Sequence, residues 1–202
     1  MIKTIVLISQ GPNDIGFVRG LRDRLGSKAD VVDCYDEPIL RRRGTFTRRK
    51  DAKLAIDICL KKYPVDLFVR ITDGDVHRPQ DVVRAELARY PSNVNSMLVC
   101  GVCDRDVENW LALDAGYAAK TLHFSPTELP AERAERADFL KGRITRRLAP
   151  GQTYTEFVTA LVSNAPEATF KCWLQNPAFR TFYDECTAAA RRANCEVNKE
   201  AG

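Results

Sequence analysis

The sequence predicts an α/β protein with a mostly parallel central sheet flanked by helices, followed by a helical C-terminal extension. Three observations lead there. Short apolar runs rich in β-branched residues, at residues 2–8, 65–71 and 96–102, each end in polar turns. Helix-spaced segments lie between the strand-like runs, and this alternation argues for parallel strands covered by helices. Beyond residue 120 the strand-like runs stop and helix-spaced, charge-rich segments take over. The expected division is therefore an α/β core over residues 1–120 and, packed on it, a helical extension over residues 121–202.

Each element has its own signal. Residues 2–8 read as a buried strand opening into the turn Gly11-Pro12-Asn13-Asp14. Asp14 is placed to cap the next helix, in which Ile15, Val18, Leu21 and Leu25 recur at helical spacing until Gly26-Ser27 closes it. Residues 29–34 give a second strand. The basic stretch 41–50 is a loop or a helix start, and residues 50–62 form a helix ended by Pro64. The strand 65–71 runs into Thr72-Asp73-Gly74-Asp75. Arg78-Pro79-Gln80-Asp81 opens a helix that stops at Tyr90-Pro91. A strand at 96–102 leads to Cys103-Asp104-Arg105-Asp106 and a helix or helical turn over 107–114. Within that segment Trp110, Leu111 and Leu113 belong to the core and Asp114 is a cap or surface residue. Residues 122–130 form a loop. Helices follow at 131–148, 154–163 and 177–194, and the last residues, 198–202, fray.

Composition narrows the class. The chain has 202 residues, 45% hydrophobic and 29% charged, which excludes collagen-like, disordered and low-complexity proteins. No apolar run approaches the roughly 20 residues of a membrane span. Residues 1–9 lack the length and cleavage site of a signal peptide, so the cytoplasm is the expected location and a membrane partner is not expected. Seven scattered cysteines then read as reduced thiols. Cys100 and Cys103 have no second pair at zinc-ribbon spacing, so the buried-hydrophobe reading outweighs a zinc or redox role.

The net charge of +4 does not by itself imply nucleic acid. Its distribution says more. Arg41, Arg42, Arg43, Arg48, Arg49 and Lys50 stand in one stretch without an acid, and Arg143, Arg146 and Arg147 form a second cluster. Such clusters are solvated faces or phosphate-contacting surfaces. Lys171 and Arg70 are further candidates for phosphate contact, each also readable as an ordinary surface or rim residue.

Chemistry in an open α/β sheet gathers beyond the carboxyl ends of the strands. Three of the expected strands end in polar residues: Gln10, Asn13 and Asp14; Asp73 and Asp75; Asp104, Asp106 and Glu108. Parallel neighbours bring these to one rim. Asp73-Gly74-Asp75 suits a hard divalent cation such as Mg2+, with the glycine letting the backbone bend between two carboxylates, or it is a plain connecting turn. Glu108 is a site acid on that rim or a partner of the helix dipole. His77 sits near Asp75 and reads as a solvated turn residue. The chain contains neither a GxxxxGK[ST] loop nor a GxGxxG loop, which weakens a nucleotide-binding reading.

These stretches resemble the Toprim-like proteins, in particular small relatives of the nuclease part of overcoming-lysogenization-defect proteins, many of which accompany anti-phage ATPases. The matching residues are Ile8-Ser9-Gln10-Gly11-Pro12-Asn13-Asp14, Ile71-Thr72-Asp73-Gly74-Asp75, the run Val107-Glu108-Asn109-Trp110-Leu111-Ala112-Leu113-Asp114, and the later Asn176-Pro177-Ala178-Phe179-Arg180-Thr181-Phe182. The resemblance implies a Toprim-like fold and a nuclease that uses Mg2+ or Mn2+, held by Asp73, Asp75 and Glu108. It implies catalytic roles for the Gln10 position, Asp14 and Glu108. DNA or RNA is the implied substrate, with the basic stretch and Lys171 on flanking phosphates. An ATPase subunit and a second copy of the chain are the further partners it admits. The family has glutamate where this chain has Gln10, and glutamine carries neither charge nor a transferable proton. Three explanations stand side by side. Asp14 or Glu108 supplies the missing carboxylate, the chain is a weak or inactive binding subunit, or the substitution was made to silence the site.

Overall fold

Strands form where the sequence is apolar at nearly every position, because both faces of the sheet are covered. The computed structural model describes residues 3–8, 13–34, 49–74 and 78–200, without the side chains of residues 49–51 and 193–200. In chain order the elements are β1 (Thr4–Ile8), α1 (Asp14–Arg24), β2 (Asp30–Asp33), α2 (Arg49–Lys62), β3 (Leu67–Asp73), α3 (Pro79–Leu87), a 3-10 turn (Ser92–Met97), β4 (Leu98–Cys103) and α4 (Glu108–Leu111). Then come α5 (Ala115–Leu122), a second 3-10 turn (Pro126–Glu128), α6 (Arg133–Arg147), α7 (Tyr154–Ser163), α8 (Glu167–Trp173) and α9 (Pro177–Glu200). All pairings are parallel and the strand order is β2-β1-β3-β4. The α/β class, the parallel sheet flanked by helices and the helical C-terminal part agree with the sequence reading.

Period-two alternation sorts the strand residues between two helical layers. Ile5, Leu7, Val69 and Val99 face α1, α7 and α9, whereas Val6, Ile8, Phe68 and Leu98 face α2 and the segment after α3. Arg70 lies on the second face and is fully buried, contrary to its reading as a surface or rim residue. Its Nε donates to Glu86 Oε1 at 2.9 Å and its Nη1 to the Ile8 carbonyl at 2.9 Å. Glu86 also accepts from Arg89 at 2.6 Å, so a buried charge is tolerated because it is paired and bonded.

The C-terminal helices complete the first face. Helix α7 lies so close to α1 that a Cβ on Gly20 would come within 2.5 Å of Val162 Cβ, and one on Gly16 within 2.9 Å of the Thr155 carbonyl. Glycine is used at both positions for close approach, not for backbone freedom. Thr159 Oγ1 donates to the Gly16 carbonyl at 3.2 Å and ties the two helices. Helix α9 sets Phe182 against Gly101 of β4, and Trp110 stacks on Phe182 at 5.3 Å between centroids. Phe17, Trp110, Trp173, Phe179 and Phe182 thus make one aromatic cluster that draws on both sides of residue 120.

Local differences have local causes. Asn13 occupies the N-cap position of α1 without a side-chain bond, and Asp14 is the first helical residue instead of the cap. Gly26, at φ +66°, ends α1 as expected, with Ser27 N–H donating to the Arg22 carbonyl at 3.1 Å. Asp114 is a cap, but of α5, accepting from Tyr117 N–H at 3.0 Å. Helices α5 and α8 and both 3-10 turns were not expected. The second turn lies inside the expected loop 122–130, where Ser125 and Glu128 form a reciprocal cap. Helix α9 continues to Glu200, through part of the tail expected to fray.

Candidate functional site

The sheet order changes direction between β1 and β3, so the crevice at their carboxyl ends is the place where an open parallel sheet receives a ligand. Asp14 opens α1 beside that crevice, and Asp73 is the last residue of β3. Next to them β4 ends at Cys103, whose Sγ lies 3.3 Å from Asp73 Oδ1 and 3.6 Å from the Thr72 carbonyl. Burial pushes the Cys103 thiol well up, and the charges of Asp73, Asp14 and Asp106 push it further. Asp73 faces a cleft, yet partial burial raises its carboxyl above the ordinary range, against the Cys103 hydrogen bond and the positive charges of Lys141 and Arg70.

The segment after β4 is built for rigidity. Asp104 takes a two-pronged contact from Arg133 of α6, at 3.0 Å and 2.7 Å. Asp106 pairs with Lys141 of α6 at 3.0 Å. Asn109, itself buried, donates to the Asp104 carbonyl at 2.6 Å and to the Arg133 carbonyl at 3.1 Å. Glu108 is only 1% exposed, so its carboxyl is turned inward from the rim. Tyr154 at the start of α7 donates to its Oε1 at 2.6 Å, and Lys141 Nζ stands 4.0 Å from its Oε2, which has no hydrogen-bond partner among the described residues. Burial raises the Glu108 carboxyl, partly offset by the Tyr154 hydroxyl and by Lys141. The same burial, together with the Glu108 charge, holds Tyr154 protonated as a donor.

An open cleft of about 640 Å³ lies in front of these groups, lined by Asp73, Gly74, Asp104, Arg105 and Arg133 among others. Gly74 has a reason different from the expected sharp bend. A Cβ there would come within 2.8 Å of both Val82 and Val102, so glycine lets the end of β3 sit against α3 and β4. Lys141, Arg133 and Tyr154 are groups that the sequence reading missed. They come from α6 and α7, and nothing in their local pattern separates them from ordinary surface residues.

Other expected residues are not gathered here. Lys171 is exposed on α8, whose Glu167 and Phe170 pack on Arg24 at the far end of α1. Gln10, Asp75, His77, Arg41, Arg42, Arg43 and Arg48 lie outside the described residues, as do the side chains of Arg49 and Lys50. Cys100 and Cys103 point to opposite faces of β4, Cys100 toward Glu86 and Arg70 and Cys103 toward Asp73, so they share neither a bond nor an ion. Among the described residues no three of His, Cys, Asp and Glu stand close enough together to hold a metal ion, and no helix is long and apolar enough to cross a membrane. Comparison with protein-family models, with curated proteins and with solved structures found no match for the chain.

Proposed function

We propose that the chain is a Toprim-like nuclease, cleaving phosphodiester bonds of DNA or RNA with Mg2+ or Mn2+ in bacterial anti-phage defence. The observation that supports it most is that Asp14 opens α1 and Asp73 ends β3 on the two sides of the sheet's switch point, where Asp73 lines an open cleft. Carboxylate oxygens are the donors such ions take, although among the described residues no three acids stand close enough together to hold one. Asp73, with Asp75 and Glu108 as the resemblance implies, would hold the ion, which would polarise a phosphate and make a bound water more acidic, although the Glu108 carboxyl is buried and turned from the rim.

The chain's own groups divide the remaining work. Lys141, paired with Asp106 at 3.0 Å and 4.0 Å from Glu108, would bring a positive charge to a phosphate bound beside these acids. Glu108, raised by burial and oriented by Tyr154, holds a proton at higher pH than an exposed glutamate does. In this reading Glu108 or Asp14 supplies the carboxylate that Gln10 lacks. The protein acts in the cytoplasm, alone or as a homo-oligomer, with an ATPase subunit as a further partner.

Gln10 itself favours a second reading, a binding subunit without chemistry that partners an ATPase or nucleic acid. A cleavage assay on plasmid and on single-stranded DNA and RNA, with Mg2+ or Mn2+, separates the two. Wild-type cleavage that is lost in Asp73→Ala supports the nuclease. Cleavage only in Gln10→Glu supports a scaffold silenced at that one position. Binding without cleavage by any of the three proteins supports the binding subunit.

A further inference from the structure

Two residues other than glycine have a positive φ among those described, His123 at 55° and Arg105 at 72°. His123 has a local reason, since it is the left-handed C-cap of α5 and lets the Phe124 N–H close that helix on the Ala119 carbonyl at 3.0 Å. Arg105 ends no helix. A side chain with a Cβ is disfavoured in the left-handed region, and a long one finds no local hydrogen bond there to compensate. Such a conformation persists only where the surroundings over-determine it, and it concentrates at ligand-binding positions.

The surroundings of Arg105 do over-determine it. Asp104 on one side is held by Arg133 at 2.7 Å, and Asp106 on the other by Lys141 at 3.0 Å. Asn109 holds the Asp104 carbonyl at 2.6 Å, and Arg105 N–H donates to the Cys103 carbonyl at 3.0 Å. Both neighbours are thus bolted to α6 or α4, and Arg105 is the residue that bends between them. Its two acidic neighbours are spent on other cations. The Arg105 side chain is exposed on the wall of the cleft that Asp73 also lines, and it makes no ion pair among the described residues.

We propose that Arg105 is a substrate-gripping residue: its guanidinium, held out into the cleft by a bolted left-handed turn, takes a phosphate of the nucleic acid whose neighbouring phosphodiester meets Asp73. This deepens the nuclease reading and rests on it. A guanidinium presents a planar fork of donors that matches two phosphate oxygens, which a carboxylate-rich cleft otherwise repels.

The test uses the full chain and three labelled probes: a single-stranded DNA, its RNA equivalent, and a DNA duplex. Binding is read by fluorescence anisotropy across a salt series, with Ca2+ in place of Mg2+ so that the probe is not consumed, and each protein is also melted. For Arg105→Gly the expected result is affinity reduced by about tenfold, the loss of one charged hydrogen-bonded contact. The salt slope should fall by roughly 0.7–0.9, one phosphate contact. The melting temperature should rise by about 2–4 °C, because glycine relieves the backbone. Arg105→Lys should recover part of the affinity and none of the melting gain. Unchanged affinity and slope in Arg105→Gly, with wild-type binding intact, would overturn the role of Arg105 and leave the nucleic-acid reading standing. A lower melting temperature in Arg105→Gly would make the side chain structural and overturn it too. A wild-type chain that binds none of the probes overturns the nucleic-acid reading itself, and Arg105 with it. Preference among the probes distinguishes DNA from RNA.

Discussion

At the scale of single residues, the most consequential buried charge is Arg70, which joins the centre of β3 to Glu86 and to the last carbonyl of β1. Replacing it with leucine leaves Glu86 short of a partner and the Ile8 carbonyl short of this donor. The expected loss is about 3–5 kcal/mol. The double change Arg70→Leu with Glu86→Leu should cost less than the sum of the single changes, which urea denaturation of all four proteins would reveal. The misreading of Arg70 has a plain cause. A charge inside an apolar run reads as a rim residue only if one face of the strand is open, and β3 has helices on both. Glu156 offers a pH test. It accepts the Thr153 N–H at 2.8 Å in the cap of α7, and that bond holds its carboxyl below the ordinary value. A lowered native value gives stability above the ordinary glutamate pKa that is lost as pH falls through the native one. The difference in melting temperature between wild type and Glu156→Ala should therefore be present at neutral pH and close on acidification. A gap that stays constant down to pH about 3 would contradict the cap, given an ordinary glutamate pKa of about 4.3.

At the scale of elements, two glycines in helices make opposite predictions. Gly20 of α1 faces Val162 and the Thr159 carbonyl at under-contact distances, whereas a Cβ on Gly142 of α6 would meet nothing within 4 Å. Alanine gains up to about 1 kcal/mol over glycine in a helix, and overpacking costs about 1–3 kcal/mol. Gly142→Ala should thus raise the urea midpoint and Gly20→Ala lower it. The sequence could not show this difference, because both glycines sit in helix-spaced segments and only the distant α7 distinguishes them. Strands β1, β3 and β4 were legible because they are buried apolar runs ended by polar turns, although their ends move by a few residues. Helices α5 and α8 were not. They are short, and their signals, an Asp114 cap and a Pro166 start, look like loop punctuation when the packing partner is unknown.

At the scale of the whole molecule, Asp14, Asp73 and Asp104 could be read as acids of one rim because topology alone carries parallel strand ends together, whereas Glu108 is turned inward. The cations could not. Lys141 and Arg133 arrive from the extension, and only the completed fold shows that α6 closes over the segment following β4. The extension is equally needed by the core, since Phe17 and Trp110 pack against Trp173, Phe179 and Phe182 from beyond residue 120. Residues 1–120 expressed alone should lack a cooperative melt and bind a hydrophobic dye, whereas the full chain should melt in one transition by calorimetry. An independent melt of the fragment would show that residues 1–120 fold without the extension. The Thr159 bond to Gly16 spans 143 positions of chain. A ribosome adds about 5–20 residues each second, so α1 leaves the exit tunnel roughly 7–30 s ahead of its partner. Throughout that interval its glycine-lined stripe has no native cover. Completion of the α1 surface is therefore timed by the translation of α7.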